Sequence, residues 1–239
     1  MEMMVATAVR RELRGRDEIA GAHAARMPLG LILLARGWIS RHELELALAL
    51  QRTSGRGRIG YWLRQVAGIS EEMVARGLAS QWSCIALPGG CAEITPAPEL
   101  IPAQIRESCG LLPLRHTRHE TLYLAGEQRV EHGAVAAIER MLVLPIEPVF
   151  VEDGRWLSSA TERIARAEMR TTTEDQTVVE LLTEIVEQER PQDSRLVRVK
   201  DFFWLRIWSG ARRPLRSPQV DLTHARDFLV SAVRRKHIL

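Results

Sequence analysis

The residues best suited to ligand chemistry occur twice, 30 positions apart, in the first third of this 239-residue chain. Residues 28–30 (Pro-Leu-Gly) and 58–60 (Arg-Ile-Gly) open the two copies, and Gln51 and Gln81 close them. Arginine offers a planar fork of donors, glycine admits a close backbone approach, and glutamine offers a donor and an acceptor. The doubled unit predicts a pseudo-two-fold surface, suited to a ligand with two like halves or to mutual core burial.

Each copy predicts a pair of helices that would position these residues. In the first copy, Ser40 and Glu43 have the spacing of a capping box, which starts a helix after a short apolar segment. The apolar residues that follow recur at i, i+3 and i+4 and predict one buried face. Ser70 is the corresponding N-cap in the second copy. Residues 28–82 therefore predict a small helical module.

The rest of the chain alternates between helical and strand patterns. The predicted fold class is α+β: an N-terminal helical tandem-repeat module, a small α/β subdomain and a C-terminal α/β extension. The predicted ranges are 1–25 (a helix or tail), 26–86 (the module), 99–168 (the subdomain) and 176–239 (the extension). The predicted helices are 102–108, 131–142, 158–168, 177–189 and 222–233, and the predicted strands are 111–115, 121–125, 146–151 and 196–208, with a turn at 117–120.

Four aromatic residues in the extension are too many for one face of a small strand pair. We expect them to be covered either by a partner or by the α/β subdomain. They are Phe202, Phe203, Trp204 and Trp208.

Composition excludes several functional classes. Hydrophobic residues make up 46% and charged residues 26% of the chain, as in ordinary globular proteins. No apolar run predicts a membrane span, and the three cysteines form no C-x-x-C pair, so we expect a cytoplasmic protein without a metal. The sequence contains no phosphate-binding loop and no nucleophile motif, so we predict a protein that is not an enzyme. The net charge of +3 is small, and nucleic acid is not an expected partner.

The repeat resembles the tandem motif of the MshEN domain, the cyclic-di-GMP-binding form of the N-terminal domain of type II secretion and type IV pilus assembly ATPases. Residues 100–102 (Leu-Ile-Pro) and 110–115 (Gly-Leu-Leu-Pro-Leu-Arg) also resemble that family, so the likeness covers about 26–165. It implies cyclic di-GMP as ligand, with no further cofactor. By position, the implied ligand-binding residues are Leu29, Gly30, Leu44, Leu48 and Gln51 in the first copy, and Arg58, Ile59, Gly60, Val74, Leu78 and Gln81 in the second.

The first copy departs from the family pattern. Pro28 stands where the motif has arginine, and Arg26 lies nearby but out of register. In the second copy, Ala67 and Gly77 depart from the pattern as well. The resemblance implies a regulatory module that relays the ligand state to a secretion or pilus ATPase or to a membrane glycosyltransferase. The alternative is a protein-interaction adaptor with a degenerate, non-binding nucleotide site.

Overall fold

The structure is a computed structural model that describes residues 5, 7–8, 26–87, 94–116, 121–126, 131–152, 167–173, 176–210 and 222–231. The predicted N-terminal helix or tail therefore lies almost wholly outside the described residues, as does the turn at 117–120. None of the described helices has the length and apolar character needed to cross a membrane.

The tandem repeat folds into four helices, as its pattern predicts. In the first copy the Ser40 hydroxyl accepts from the Glu43 amide, and the Glu43 carboxylate accepts from the Ser40 amide at 2.6 Å. The Ser40 hydroxyl also donates to the same carboxylate at 2.7 Å. The bonds that the Ser40 amide and, second, the Ser40 hydroxyl donate hold the pKa of Glu43 below its usual value. In the second copy Ser70 caps in the same way, accepting from the Met73 amide. The helices are α1 (Leu29–Ala35), α2 (Arg41–Ser54), α3 (Ile59–Ala67) and α4 (Glu71–Trp82).

A five-stranded mixed sheet follows the helical module. Its strands are β1 (Ile85–Ala86), β2 (Ile94–Pro96), β3 (Leu111–His116), β4 (Leu122–Gly126) and β5 (Ile146–Phe150), with helices α5 (Ala103–Cys109) and α6 (His132–Leu142). The strand order is β1-β5-β4-β3-β2, and β5 is parallel to both of its neighbours. The two outer strands of the sheet thus come from residues before the predicted start of the subdomain at 99.

A second, four-stranded sheet carries the C-terminal residues. It is built from β6 (Glu168–Thr171), β7 (Asp193–Val199), β8 (Phe202–Trp208) and β9 (Ala225–Ser231), in the order β6-β9-β8-β7. The helix α7 (Val178–Glu189) packs on it and begins with a capping box between Thr177 and Glu180. The predicted helix 158–168 falls mostly outside the described residues, and its last residue, Glu168, begins β6.

Two sequence predictions in this region are wrong. The predicted strand 196–208 is a hairpin of β7 and β8, reversed at Lys200, whose φ is +53°. The predicted helix 222–233 contains β9, which pairs with β6 on one side and β8 on the other. Residues 228–230 are contiguous, apolar and buried, and such a short run fits either a buried strand or a helix until its pairing partners are known.

The aromatic residues of β8 are covered within the chain. Trp204 and Trp208 are almost wholly buried, and Phe203 is buried as well. Trp204 belongs to the same core cluster as Leu100 and Ile105 of the first α/β unit. The half-buried Phe202 packs against this same cluster, whereas Phe203 packs with α7 of the extension itself. The α/β subdomain therefore covers only part of this aromatic group.

Candidate functional site

Each helix of the first repeat packs against a helix of the second repeat. Helix α1 of the first copy lies against α4 of the second, and α2 of the first lies against α3 of the second. Helices α1 and α4 approach closely at Gly77, where an added Cβ would lie 2.7 Å from Leu29 and 2.8 Å from Leu33. The second copy thus has glycine at the position where the first has the buried Ala47, because two leucines of α1 occupy the space.

The two glutamines that close the repeats make matching hydrogen bonds. The side-chain amide of Gln51 donates to the carbonyl of Gly57 at 3.0 Å, and that of Gln81 donates to the carbonyl of Met27 at 2.9 Å. Met27 and Gly57 are equivalent, since each immediately precedes the residue that caps the short helix of its copy. Each glutamine therefore holds the entry to the other repeat, and the four residues give the module its pseudo-two-fold symmetry.

In each repeat, the motif glycine leaves space for a side chain from the long helix of the same repeat. A Cβ on Gly30 would lie 2.5 Å from Leu44 Cδ1, and a Cβ on Gly60 would lie 3.0 Å from Val74 Cγ1. Both glycines are buried. Their first role in this structure is therefore close helix packing, which a side chain at either position would disturb.

The residues at the motif-arginine position differ in chemistry but not in backbone. Pro28 has φ −56° and ψ 142°, and Arg58 has φ −93° and ψ 152°; each is the N-cap of its short helix. Arg58 is exposed, as are Arg52 and Arg56 in the same link between the repeats. These exposed arginines therefore lie along the link and at the start of the second copy.

Arg26, the nearby arginine that is out of register with the motif, stacks on Trp82. Its guanidinium carbon lies 4.1 Å from the centroid of the Trp82 ring, at the end of α4. A guanidinium stacked on an indole face is held there by cation–π attraction. Together with the Gln81 bond to Met27, this contact fixes the start of the first repeat to the end of the second.

The eleven residues implied by the resemblance divide by burial. Leu29 and Leu44 are buried in the core of the helical module, with Gly30 and Gly60 beside them. Arg58 is exposed. The remaining six are half-buried and lie around the same module: Leu48, Gln51, Ile59, Val74, Leu78 and Gln81.

Sequence reasoning missed an aromatic pair at the start of α3. Tyr61 and Trp62 form an edge-to-face contact, with ring centroids 5.2 Å apart and planes at 83°. The Trp62 indole donates to the carbonyl of Arg56 at 3.1 Å. The available signal was the aromatic character of these two positions, whose equivalents in the first copy are the aliphatic Leu31 and Ile32.

Metal binding and thiol chemistry have little support in the part of the chain that the structure describes. There, no group of three or more His, Cys, Asp or Glu residues is arranged to hold a metal ion. Cys84 and Cys109 are free thiols, and burial raises the pKa of the Cys84 thiol. A raised pKa leaves less thiolate at neutral pH, which does not favour a nucleophilic role.

No protein-family model and no curated protein matches this chain. Among solved structures, the chain is similar to one described as "Structure of MshE with cdg", with 26% sequence identity over 56% of this chain and 97% of that chain and a TM-score of 0.44.

Proposed function

We propose that this chain is a non-catalytic regulatory module that binds cyclic di-GMP across its two repeats. The observation that carries the proposal is the matched pair of bonds from Gln51 to Gly57 and from Gln81 to Met27. They hold two equivalent entry segments in one rigid unit, and cyclic di-GMP is a ligand with two equal halves. Pre-organised segments bind with less loss of entropy than mobile ones.

The two halves of this site are chemically unequal. The second offers the exposed Arg58, which can bond phosphate or a guanine edge through its fork. The first offers Pro28, which has neither a charge nor an N–H donor. We therefore expect cyclic di-GMP to bind less tightly than to a site with two arginines, by about 1–2 kcal/mol for one missing charge-assisted contact.

The eleven residues implied by the resemblance would have different roles in ligand binding. Arg58, Gln51 and Gln81 lie at the edges of the module and are assigned here to polar contacts and to positioning. The half-buried side chains Leu48, Ile59, Val74 and Leu78 are assigned to apolar contact with the bases. Leu29, Leu44, Gly30 and Gly60 are assigned to the packing that brings these groups together.

A route for relaying the ligand state runs through α4. Leu78 packs against both the core of the helical module and the main core of the α/β unit, and Trp82 also packs against the latter. A ligand that tightens the contact between the repeats would therefore act on the α/β unit. We propose that the receiver is a secretion or pilus ATPase or a membrane glycosyltransferase.

One observation favours the alternative, a protein-interaction adaptor with a degenerate site. Gly30 packs closely against Leu44, and Gly77 packs closely against Leu29 and Leu33. Helix packing by itself is therefore a sufficient reason for these glycines. A repeat maintained for packing needs no ligand, and the replacement of arginine by Pro28 agrees with that reading.

Calorimetric titration of the purified chain with cyclic di-GMP tests the two functions directly. Binding with saturable heat, together with a rise in thermal midpoint, supports the regulatory module. A parallel titration with GMP tests whether the two-fold ligand is required, because a monomeric nucleotide engages only one half. If cyclic di-GMP gives neither heat nor a thermal shift at high micromolar concentration, binding is contradicted and the adaptor is favoured.

A further inference from the structure

Tyr61 is an exposed aromatic residue beside the proposed site, and the function proposed above gives it no role. Its side chain is 51% exposed. It lies three positions after Arg58, which caps the same helix, α3. Arg58 immediately precedes the helix and Tyr61 lies in its first turn, so both side chains belong to the entry of the second repeat.

The ring of Tyr61 is supported by its neighbour Trp62. Trp62 meets it edge to face at a centroid distance of 5.2 Å, and the indole of Trp62 is itself bonded to the carbonyl of Arg56. The ring also lies beside the segment that leads into the second repeat, since a Cβ built on Gly57 would lie 3.7 Å from Tyr61 Cδ1. Gly57 has φ +81°, and its carbonyl accepts the hydrogen bond from the Gln51 side chain. The ring is therefore a supported surface that needs little ordering when a ligand arrives.

The equivalent position in the first repeat has no such surface. Leu31 stands there and is 46% exposed, so both copies present an apolar side chain at this point. In the second copy alone, that side chain is aromatic and lies close in sequence to the exposed Arg56 and Arg58. An aromatic face beside a cation is the combination that binds a nucleotide base and its phosphate together.

We infer that Tyr61 is a specificity-determining residue of the second half-site, where its exposed face stacks on one purine base of the ligand while Arg58 engages the adjoining phosphate or base edge. This inference rests on the proposed function, since it assigns a contact to the same ligand. It makes the second repeat the half that selects a purine nucleotide, and the first repeat the half that accommodates its partner.

Fluorine NMR of the chain labelled with 3-fluorotyrosine provides a direct test. The chain contains two tyrosines, Tyr61 and Tyr123, so the label gives two signals, and Tyr61→Phe identifies the one from residue 61. Tyr123 lies in β4 of the α/β sheet, in contact with His116, and serves as an internal control. We expect cyclic di-GMP to shift the Tyr61 signal through the ring current of a stacked base and to leave the Tyr123 signal unchanged.

Three variants measure the contribution of the ring to affinity. Tyr61→Ala should weaken cyclic di-GMP binding about tenfold, in line with the loss of one stacked base. Tyr61→Phe keeps the ring and should bind within about twofold of the parent chain. Leu31→Ala is the matched control in the first repeat and should also bind within about twofold, because no base stacks on an aliphatic residue there.

The outcomes separate this inference from the function on which it rests. If the parent chain does not bind cyclic di-GMP, the proposed function fails and this inference fails with it. If the parent chain binds but the Tyr61 signal does not move, or Tyr61→Ala binds like the parent, the inference alone is overturned. The fluorine shift is measured on the parent sequence, so it decides the question even if Tyr61→Ala folds poorly.

Discussion

Gln51 and Gln81 make the same hydrogen bond, each to the residue that leads into the other repeat. Gln81 reaches Met27, 54 positions earlier in the chain, and Gln51 reaches Gly57, six positions later. The first bond closes the module end to end, and the second closes the link between the copies. Together they join the two repeats into a single unit, because the segment that leads into each repeat is held by a glutamine of the other repeat.

Replacement of Gln81 by leucine should loosen the start of the first repeat. The Met27 carbonyl loses its partner, and we expect a stability loss of about 0.5–1.5 kcal/mol in denaturant unfolding. Cyclic di-GMP binding should weaken as well, since Pro28 is no longer held. Gln65→Leu, at an exposed position of α3, is the matched control. Equal effects of the two substitutions would contradict a positioning role for Gln81.

Arg58→Ala should weaken cyclic di-GMP binding by about 2 kcal/mol, because the site loses a charge-assisted contact. Stability should change little, since the side chain is exposed at a helix start. Arg41→Ala removes the same charge from α2 at a side chain that is 86% exposed, and it should bind like the parent chain. Calorimetry and thermal melts measure both quantities. If Arg58→Ala folds normally and binds like the parent, the proposed register of the second repeat is wrong.

The converse substitution, Pro28→Arg, should strengthen binding by restoring a cation to the first half-site. Pro28 and Arg58 both have extended backbones, so arginine fits at position 28 without strain. The loss of proline gives the unfolded chain more freedom, and we expect it to lower stability by about 0.4–1 kcal/mol. Titrations of Pro28→Arg at low and high salt measure the gain, which should shrink as salt screens the new charge. An affinity that does not rise would show that the first half-site does not face a phosphate.

Gly77→Ala tests whether packing fixes the glycines of the module. The added methyl group would lie within 3 Å of both Leu29 and Leu33, and overpacking of this kind costs about 1–3 kcal/mol. Gly133→Ala in α6 is the control, because nothing lies within 4 Å of its Cβ position. There the change should stabilise the chain by up to about 1 kcal/mol through helix propensity. Chemical denaturation measures both, and a stabilising Gly77→Ala would contradict the observed approach of α1 to α4.

The buried Arg206 provides a test of how the second sheet joins the first. Its guanidinium donates to both carboxylate oxygens of Asp227 at 2.7 and 2.8 Å and to the carbonyl of Leu100 at 3.0 Å, and the Trp204 indole also donates to Asp227. Asp227→Ala leaves a buried charge without its counter-ion, and we expect a loss of about 3–5 kcal/mol.

The adjacent residue supplies the control for that prediction. Arg226→Ala breaks exposed pairs with Glu168 and Glu189, which should cost about 0–1 kcal/mol. Unfolding followed by tryptophan fluorescence should show one transition for the parent chain, because Trp204 shares a core cluster with Leu100 and Ile105. A loss at Asp227→Ala no larger than that at Arg226→Ala would contradict the assigned role of the pair.

The amino-acid sequence by itself determined the features that rest on neighbours within a few residues. Ser40 with Glu43, and Ser70 with the Met73 amide, are capping interactions across three positions, and their helices begin where the pattern predicts. The offset of 30 between the copies is a property of the sequence alone, and it predicts equivalent helix pairs. The helices and strands within 102–151, and the helix at 177–189, also agree with the sequence prediction to within one residue, because their apolar spacing is local.

Only the tertiary structure decided which distant groups meet. It gave Gln81 its partner in Met27, placed Arg26 on Trp82, and put two leucines of α1 over Gly77. It also made residues 225–231 a strand, since β6 and β8 lie on either side to pair with it. The physical reason is the same in each case: a local pattern states what a residue can donate, accept or bury, whereas its partner depends on packing between segments far apart in the chain.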